Sequence, residues 1–466
     1  MLDNIISSIS DALYSYILII LLIAGGIFFT VRTRFAQFRL FKQQLRSVME
    51  KPDEKGGVSS FQALMVSTAS RVGTGNIVGV STALCLGGFG SVFWMWIIAF
   101  IGSASAFVES TLAQIYKKKG PDGYYGGPAY YIEATLHSRP LAVIFSVLLI
   151  LTYGFGFNML ASYNLQSTFS AFSFYNADTT PWIIGIVIAV IVCYCLIGGG
   201  SRIVKTTSFL VPIMGIAYVL VALLIIALNF KSLPGVFSAI FSNAFDFKAI
   251  FGGISGSCVI YGIKRGLFSN EAGVGSAPNA SASADVKHPV KQGLVQVLSV
   301  FIDTILICSA TAFMCMCSGV EPSAELSGAP YVQKALSETL GSFGPVFITV
   351  AMILFSFTTL LGNLFYVEKC ITYILGKVPS KSFMNVCHVI SSAVIFVGAG
   401  LSAELLWNIS DIFMGGMTLI NMPVILILSG YAVKALKDYE KQLKSGNEPV
   451  FHAENIDLPH KVDCWK

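Results

Sequence analysis

Charge is what this sequence has least of. Asp, Glu, Lys and Arg make up 12% of 466 residues, about half the share a soluble domain carries. Histidine is also scarce. His137, His288, His388, His452 and His460 lie in loops or at helix ends and form no His/Cys cluster of four ligands, so no transition-metal site is expected. The ten cysteines are scattered inside apolar stretches. Even the Cys193/Cys195 and Cys315/Cys317 pairs fit neither a disulfide framework nor a metal motif. The net charge of +5 comes without any basic cluster interleaved with aromatics, which argues against a nucleic-acid partner. What is there is apolar: 55% hydrophobic residues and a mean hydropathy of +0.73. The composition is that of an all-α polytopic membrane protein.

Eleven apolar segments are long enough to span a bilayer: 14–31, 58–86, 90–116, 141–171, 181–199, 207–229, 249–283, 291–319, 343–375, 384–401 and 404–434. Asp3 and Asp11 precede the first, and Arg32 and Arg34 follow it, which predicts an uncleaved helix with its N-terminus outside. Basic residues then fall in alternate loops: Arg39, Lys42, Arg46, Lys51 and Lys55; Lys117 to Lys119; Arg202 and Lys205; Lys287 and Lys291; Lys377 and Lys381. The opposite loops are poor in them, with Lys231, Lys248 and Lys334, so the positive-inside rule gives a cytoplasmic C-terminus. With residues 1–57 set aside as an extra helix and loop, ten spans divide into two fives, 58–229 and 230–435, followed by a polar tail 436–466. Two sets with an odd number of spans insert in opposite orientation, the inverted-repeat plan of many secondary transporters.

Two segments are interrupted. Ser67 to Val80 carries Gly73, Gly75 and Gly79 around Arg71, and Tyr261 to Pro289 carries Lys264, Arg265 and Glu271 among Gly262, Gly266, Gly273 and Gly275, with Gly256 upstream. Charge at membrane depth faces a partner or a cavity. Irregular backbone there is tolerated only where protein or water lines it. A break frees amides for an anion and carbonyls for a cation. A substrate carboxylate is therefore expected on the amides of Gly73, Thr74, Gly75 and Asn76, with Gly266 and Phe268 from the second break and Gln166 completing the candidate set. A sodium ion takes hard oxygen ligands. The carbonyls of Ala69 and Val72 can supply two and the hydroxyls of Thr358 and Thr359 two more. Taken alone, such a Thr pair more commonly back-bonds to its own helix.

The run GLFSNEAGVGSAPNASASADVKHPVKQGLVQ with VFIDT, and the segments TASRVGTGNIVGVSTAL and GGPAYYIE, resemble the signatures of the alanine-or-glycine:cation symporter family over most of the chain. The resemblance implies a leucine-transporter-like fold with five helices repeated inverted, and uptake of a small neutral amino acid coupled to Na+ or H+. No cofactor is implied beyond the coupling ion. It also implies a bacterial or archaeal plasma membrane with its lipid, and a monomer or loose oligomer. By that resemblance Gly73-Thr74-Gly75-Asn76 holds the carboxylate, and Thr358 and Thr359 complete the sodium site. One departure bears on the substrate. Ala161 and Tyr163 stand where the family often has Gln and Asn, and Gln166 lies more than a turn further on.

Among the remaining polar residues, Lys264, Arg265 and Glu271 are close enough in sequence to pair across the break. Arg71 is expected to find an acid, Asp303 among them. Glu109 and Asp303 fit satisfied helix–helix hydrogen bonding, with a proton relay as the alternative. Trp94, Trp96, Trp182 and Trp407 read as an interfacial belt. The Ser/Ala run 276–283 suits tight helix packing. GGPAYYIEATL reads as a short helix beginning at Pro128, lying at the membrane surface or closing the inner vestibule. A passive channel is the rival reading, weakened because pores use rings of like residues. An intramembrane enzyme lacks a Ser/His, paired-Asp or metal constellation.

Overall fold

The computed structural model describes the whole chain except residues 1, 55, 122, 246–257, 459–461 and 466, with backbone alone at 2–5 and 15. Lys55, Lys248, Gly256, His460 and the first turns of the segment expected at 249–283 lie outside the described residues. Apart from a two-stranded hairpin, Lys118–Gly120 with Gly123–Tyr125, the described fold is helical.

Among the described residues, seven helices are long and apolar enough to cross a membrane: Ser91–Ile115, Arg139–Ala171, Gly199–Leu228, Pro289–Cys317, Phe343–Leu375, Lys381–Gly398 and Ala403–Lys444. Three shorter apolar helices join them, Leu18–Arg32, Gly75–Gly87 and Thr180–Leu196. The difference from eleven arises where an expected span is a shorter helix, as at Thr180–Leu196, or is built from pieces. Leu18–Arg32 continues Leu2–Ala12 through a π turn at Leu13–Ile17. The span expected at 58–86, and the described part of that expected at 249–283, are each two helices with an irregular joint.

The first interruption follows helix Ser60–Arg71. A capping box starts that helix, with the Ser59 hydroxyl accepting from Gln62 N–H and the Gln62 side chain accepting from Ser59 N–H. Val72 leaves the helical region (φ −75°, ψ 86°), and the chain resumes as a π turn at Gly75–Gly79. The second interruption begins later than Lys264. Helix Cys258–Asn270 runs unbroken through Lys264, Arg265, Gly266 and Phe268, and the joint is Glu271 to Ala277. There Glu271, Gly273 and Gly275 take φ of +52°, +85° and +91°. Gly adopts this region freely, whereas Glu271 pays a steric cost for it. The Ser/Ala run that follows is fully buried, and Ala282 packs against Gly126.

GGPAYYIEATL forms a short helix with one face buried in the protein. Pro128–Leu136 begins at Pro128 as expected, but Tyr131 and Ile132 are buried, and the Tyr131 hydroxyl donates to Asn421 Oδ1. The last helix extends to Lys444, and the tail then folds back. Phe451 N–H donates to the Lys287 carbonyl (2.9 Å) and Trp465 Nε1 to the Gln114 carbonyl (2.8 Å). Lys287 and Lys291 meet Glu448 at 3.1 and 3.6 Å, which fastens the tail to the start of helix Pro289–Cys317.

Candidate functional site

The two interruptions meet. Ser70, in the last turn before the first, donates to Glu271 Oε1 at 3.2 Å and to Asn363 Oδ1 at 2.7 Å. Ser276 in the second donates to Glu271 Oε2 at 2.6 Å. One carboxylate thus accepts from hydroxyls of both joints.

The chemistry of the first joint follows from one hydrogen bond. In an uninterrupted helix the Gly73 N–H would donate to the Ala69 carbonyl. Here it donates to Asn76 Oδ1 at 2.8 Å, and the freed Ala69 carbonyl instead accepts from the Thr359 hydroxyl at 3.1 Å. The Thr359 hydroxyl and the Ala69 carbonyl are thus a pair of hard oxygens, and Val72 leaves the helix three residues further on. Gly73 is required at this point, because a Cβ there would overlap Thr359 Oγ1. Thr358 does not join them. Its hydroxyl donates to Leu354 O (3.0 Å) and Phe355 O (3.1 Å) and lies against Met214. Neighbouring residues on a helix point about 100° apart, so the residue that faces the joint is Thr359, and back-bonding describes Thr358.

Asn76 is occupied on both ends. Besides holding Gly73, its amide donates to Asp303 Oδ1 at 2.7 Å and to Ser269 Oγ at 3.2 Å. Asp303 also accepts from Ser269 (2.6 Å) and Thr304 (2.8 Å). Asn76 is therefore a strut joining the first interruption to helices Cys258–Asn270 and Pro289–Cys317, rather than a free group pointed at a ligand. The candidate carboxylate position narrows to Thr74 and Gly75. Thr74 Oγ1 accepts from Asn164 Nδ2 at 3.1 Å, a residue that no motif in the sequence singles out. Gly75 lies directly under Phe268, whose ring packs between Phe157 (centroids 4.6 Å apart) and Trp407 (4.7 Å).

Gly266 is not part of this site. A Cβ on it would meet Ile98 Cγ2 at 2.5 Å, so it is a packing glycine against helix Ser91–Ile115. Gly266→Ala is expected to lower the melting temperature by several degrees through overpacking, with sodium dependence and substrate preference unchanged in the folded fraction. Thermal unfolding with an uptake competition panel checks this.

Nor do the charges pair as the sequence suggests. Lys264 and Arg265 both reach Asp411 Oδ2, at 2.9 and 3.2 Å, and Arg265 stacks on Trp407 at 3.9 Å. Trp407 is thereby a wall of the site and not a belt residue. Arg71 finds an amide, donating from Nη1 to Gln296 Oε1 at 2.9 Å. Glu109 is engaged in helix–helix bonds. Its Oε2 accepts from Asn421 Nδ2 (2.9 Å), its Oε1 accepts from Gly273 N–H (3.3 Å), and Asn421 also donates to the Gly273 carbonyl (2.9 Å).

Above Phe268 and Trp407 opens a cavity of about 710 Å³, lined by Asn164, Gln166, Lys264, Arg265, Glu404 and Trp407 among others. Gln166 belongs to this vestibule, held by Tyr175, whose hydroxyl donates to Gln166 Oε1 at 3.0 Å. On the other side of the joint the Glu109–Asn421–Tyr131 network packs beneath Gly273 and Gly275.

Fold and sequence both have known counterparts. The chain shares its fold with the solved structure of MhsT in complex with L-phenylalanine, at a TM-score of 0.57 and 15% identity over 82% of this chain and 92% of that one. It is 42% identical to the amino-acid carrier protein AlsT of Bacillus subtilis, covering 100% of this chain and 98% of that protein. It is equally 42% identical to the probable sodium/glutamine symporter GlnT of the same organism, over 100% and 96%. The family model described as the sodium:alanine symporter family matches residues 1–453. The chain belongs to the sodium:alanine symporter family: it is an integral membrane transporter that couples sodium to amino-acid symport.

Proposed function

We propose that the chain carries a small neutral amino acid, alanine, glycine or a related one, into the cell with sodium by alternating access. Eleven spans in a five-plus-five inverted repeat plus one N-terminal helix would do this, with the vestibule facing outside. The observation that carries the reading is the exchange at the first joint, where Asn76 takes the Gly73 N–H and leaves the Ala69 carbonyl to Thr359.

Sodium bound by the carbonyls of Ala69 and Val72 and the hydroxyl of Thr359 would tie the first joint to helix Phe343–Leu375. The amino acid's carboxylate would lie on the backbone of Thr74 and Gly75 beneath Phe268. Ion and amino acid then stabilise the same closed geometry of residues 69–76, and by linkage each strengthens the other's binding. The seal on the far side, Glu109 with Asn421 and Tyr131, supports alternating access over a continuous pore.

Two further readings have specific support. Amides Asn164 and Gln166 line the approach, and Ala161 and Tyr163 replace the family's usual residues, which together with the resemblance to a probable sodium/glutamine symporter favours glutamine as a second substrate. A proton moving alongside sodium is the other reading, supported by Glu271, a buried carboxylate shared by both joints.

Uptake into proteoliposomes tests the proposal. An inward sodium gradient is expected to drive accumulation of labelled L-alanine or L-glutamine. A proton gradient in choline medium would leave uptake at the equilibrium level. Equal accumulation in sodium and choline would overturn sodium coupling, and movement that only equilibrates would favour a channel.

A further inference from the structure

The N-terminal helix stands outside the two five-helix sets, yet it supplies two of the side chains that meet the Lys264 ammonium at the edge of the vestibule. The Lys264 side chain is 9% exposed and carries three N–H donors. One reaches Asp411 Oδ2 at 2.9 Å on the last long helix. A second donates to Ser10 Oγ at 3.0 Å. The ammonium also lies over the Tyr14 ring, 5.0 Å from its centroid. The Tyr14 hydroxyl in turn donates to the Asp411 backbone carbonyl at 3.3 Å. Two of the three neighbours of the Lys264 charge therefore come from the N-terminal helix, and Tyr14 grips the backbone of the third.

From that cation an unbroken line of contacts leads to the site. Asp411 Oδ2 is shared with Arg265 (3.2 Å), Arg265 stacks on Trp407 (3.9 Å), Trp407 packs on Phe268 (4.7 Å), and Phe268 covers Gly75. Asp411 is one carboxylate between two cations. A buried ammonium short of partners is costly, so loss of Ser10 or Tyr14 shifts Lys264 and draws Asp411 away from Arg265.

We propose that Ser10 and Tyr14 are positioning residues for the aromatic roof over the substrate: the N-terminal helix holds Lys264 on Asp411, and so keeps Arg265, Trp407 and Phe268 closed over Gly75. The assignment rests on the symporter reading above.

The test is sodium-driven uptake of radiolabelled L-alanine and L-glutamine by the full chain in proteoliposomes. Ser10→Ala and Tyr14→Leu are expected to raise KM about tenfold, the scale of one hydrogen bond to a charged group, with Vmax per folded transporter within about twofold. Tyr14→Phe keeps the ring and restores most of the affinity. In a Lys264→Met background, Ser10→Ala has no further effect, because its partner is gone. A role in folding alone would lower Vmax through abundance and leave KM unchanged; that result, or full additivity with Lys264→Met, overturns the proposal. Hydrogen exchange gives a readout independent of transport. Amides of 258–270 and 403–411 are expected to exchange faster in Tyr14→Leu, with those of 381–398 unchanged. If wild-type protein accumulates neither amino acid, the two proposed substrates fail, and the exchange pattern still decides the role of the N-terminal helix.

Discussion

Thr359→Ala is expected to raise the sodium concentration for half-maximal uptake about tenfold or more, while Thr358→Ala leaves it within about twofold. The two residues are adjacent and chemically identical, so the contrast isolates direction. Thr359 Oγ1 is 3.1 Å from the Ala69 carbonyl and crowds Gly73, and Thr358 Oγ1 is turned back to Leu354 and Phe355. A hard cation loses one of few oxygen ligands in the first variant and none in the second, and a tenfold change corresponds to about 1.4 kcal/mol. Sodium titration of uptake checks both. Equal effects of the two substitutions would place the cation elsewhere.

Asn76→Ala is expected to reduce uptake about a hundredfold or more and also to lower the melting temperature of the protein before any ligand is added. Its amide and carbonyl join the Gly73 N–H, Asp303 and Ser269, so truncation leaves a buried N–H without its acceptor and a buried carboxylate short of one donor. Losing a partner of a buried group costs about 1–3 kcal/mol, more where the group is charged. A residue that only touched substrate would behave differently, raising KM with unchanged stability of the ligand-free protein. Thermal unfolding in choline buffer separates the two roles, and an unchanged midpoint would contradict the strut.

Both interruptions were legible in the sequence because glycine and charge inside an apolar run are costly at membrane depth unless they serve a break or meet a partner. Their boundaries were less so. Lys264 and Arg265 look like a break, yet they sit in a regular helix, because Asp411, about 146 positions further along, neutralises them. No local pattern announces such a partner. Thr359 is legible through its pairing with Ala69. Its phase relative to Thr358 is set by how helix Phe343–Leu375 is rotated in the bundle, which only packing decides.

Glycine and asparagine were ambiguous for a related reason. Gly266 and Gly75 are the same residue type in similar surroundings. One admits a neighbouring helix and the other makes room beneath Phe268, and the difference lies in what stands opposite. Asn76 could equally have faced a ligand or capped its own joint. Trp407, near a helix start, fits an interfacial belt by position alone, and only the fold puts Arg265 and Phe268 on either side of it. Asn164 carried no signal beyond being polar within an apolar run.

Sodium and amino acid must share the peptide groups of residues 69–76, and calorimetric binding to the purified protein measures that directly. The Kd values of L-alanine, glycine and L-glutamine would be determined across a sodium series with choline as replacement. The affinity of at least one of them is expected to rise with sodium, and saturating amino acid to strengthen sodium binding by the same factor. Binding of equal strength in sodium and in choline would contradict it.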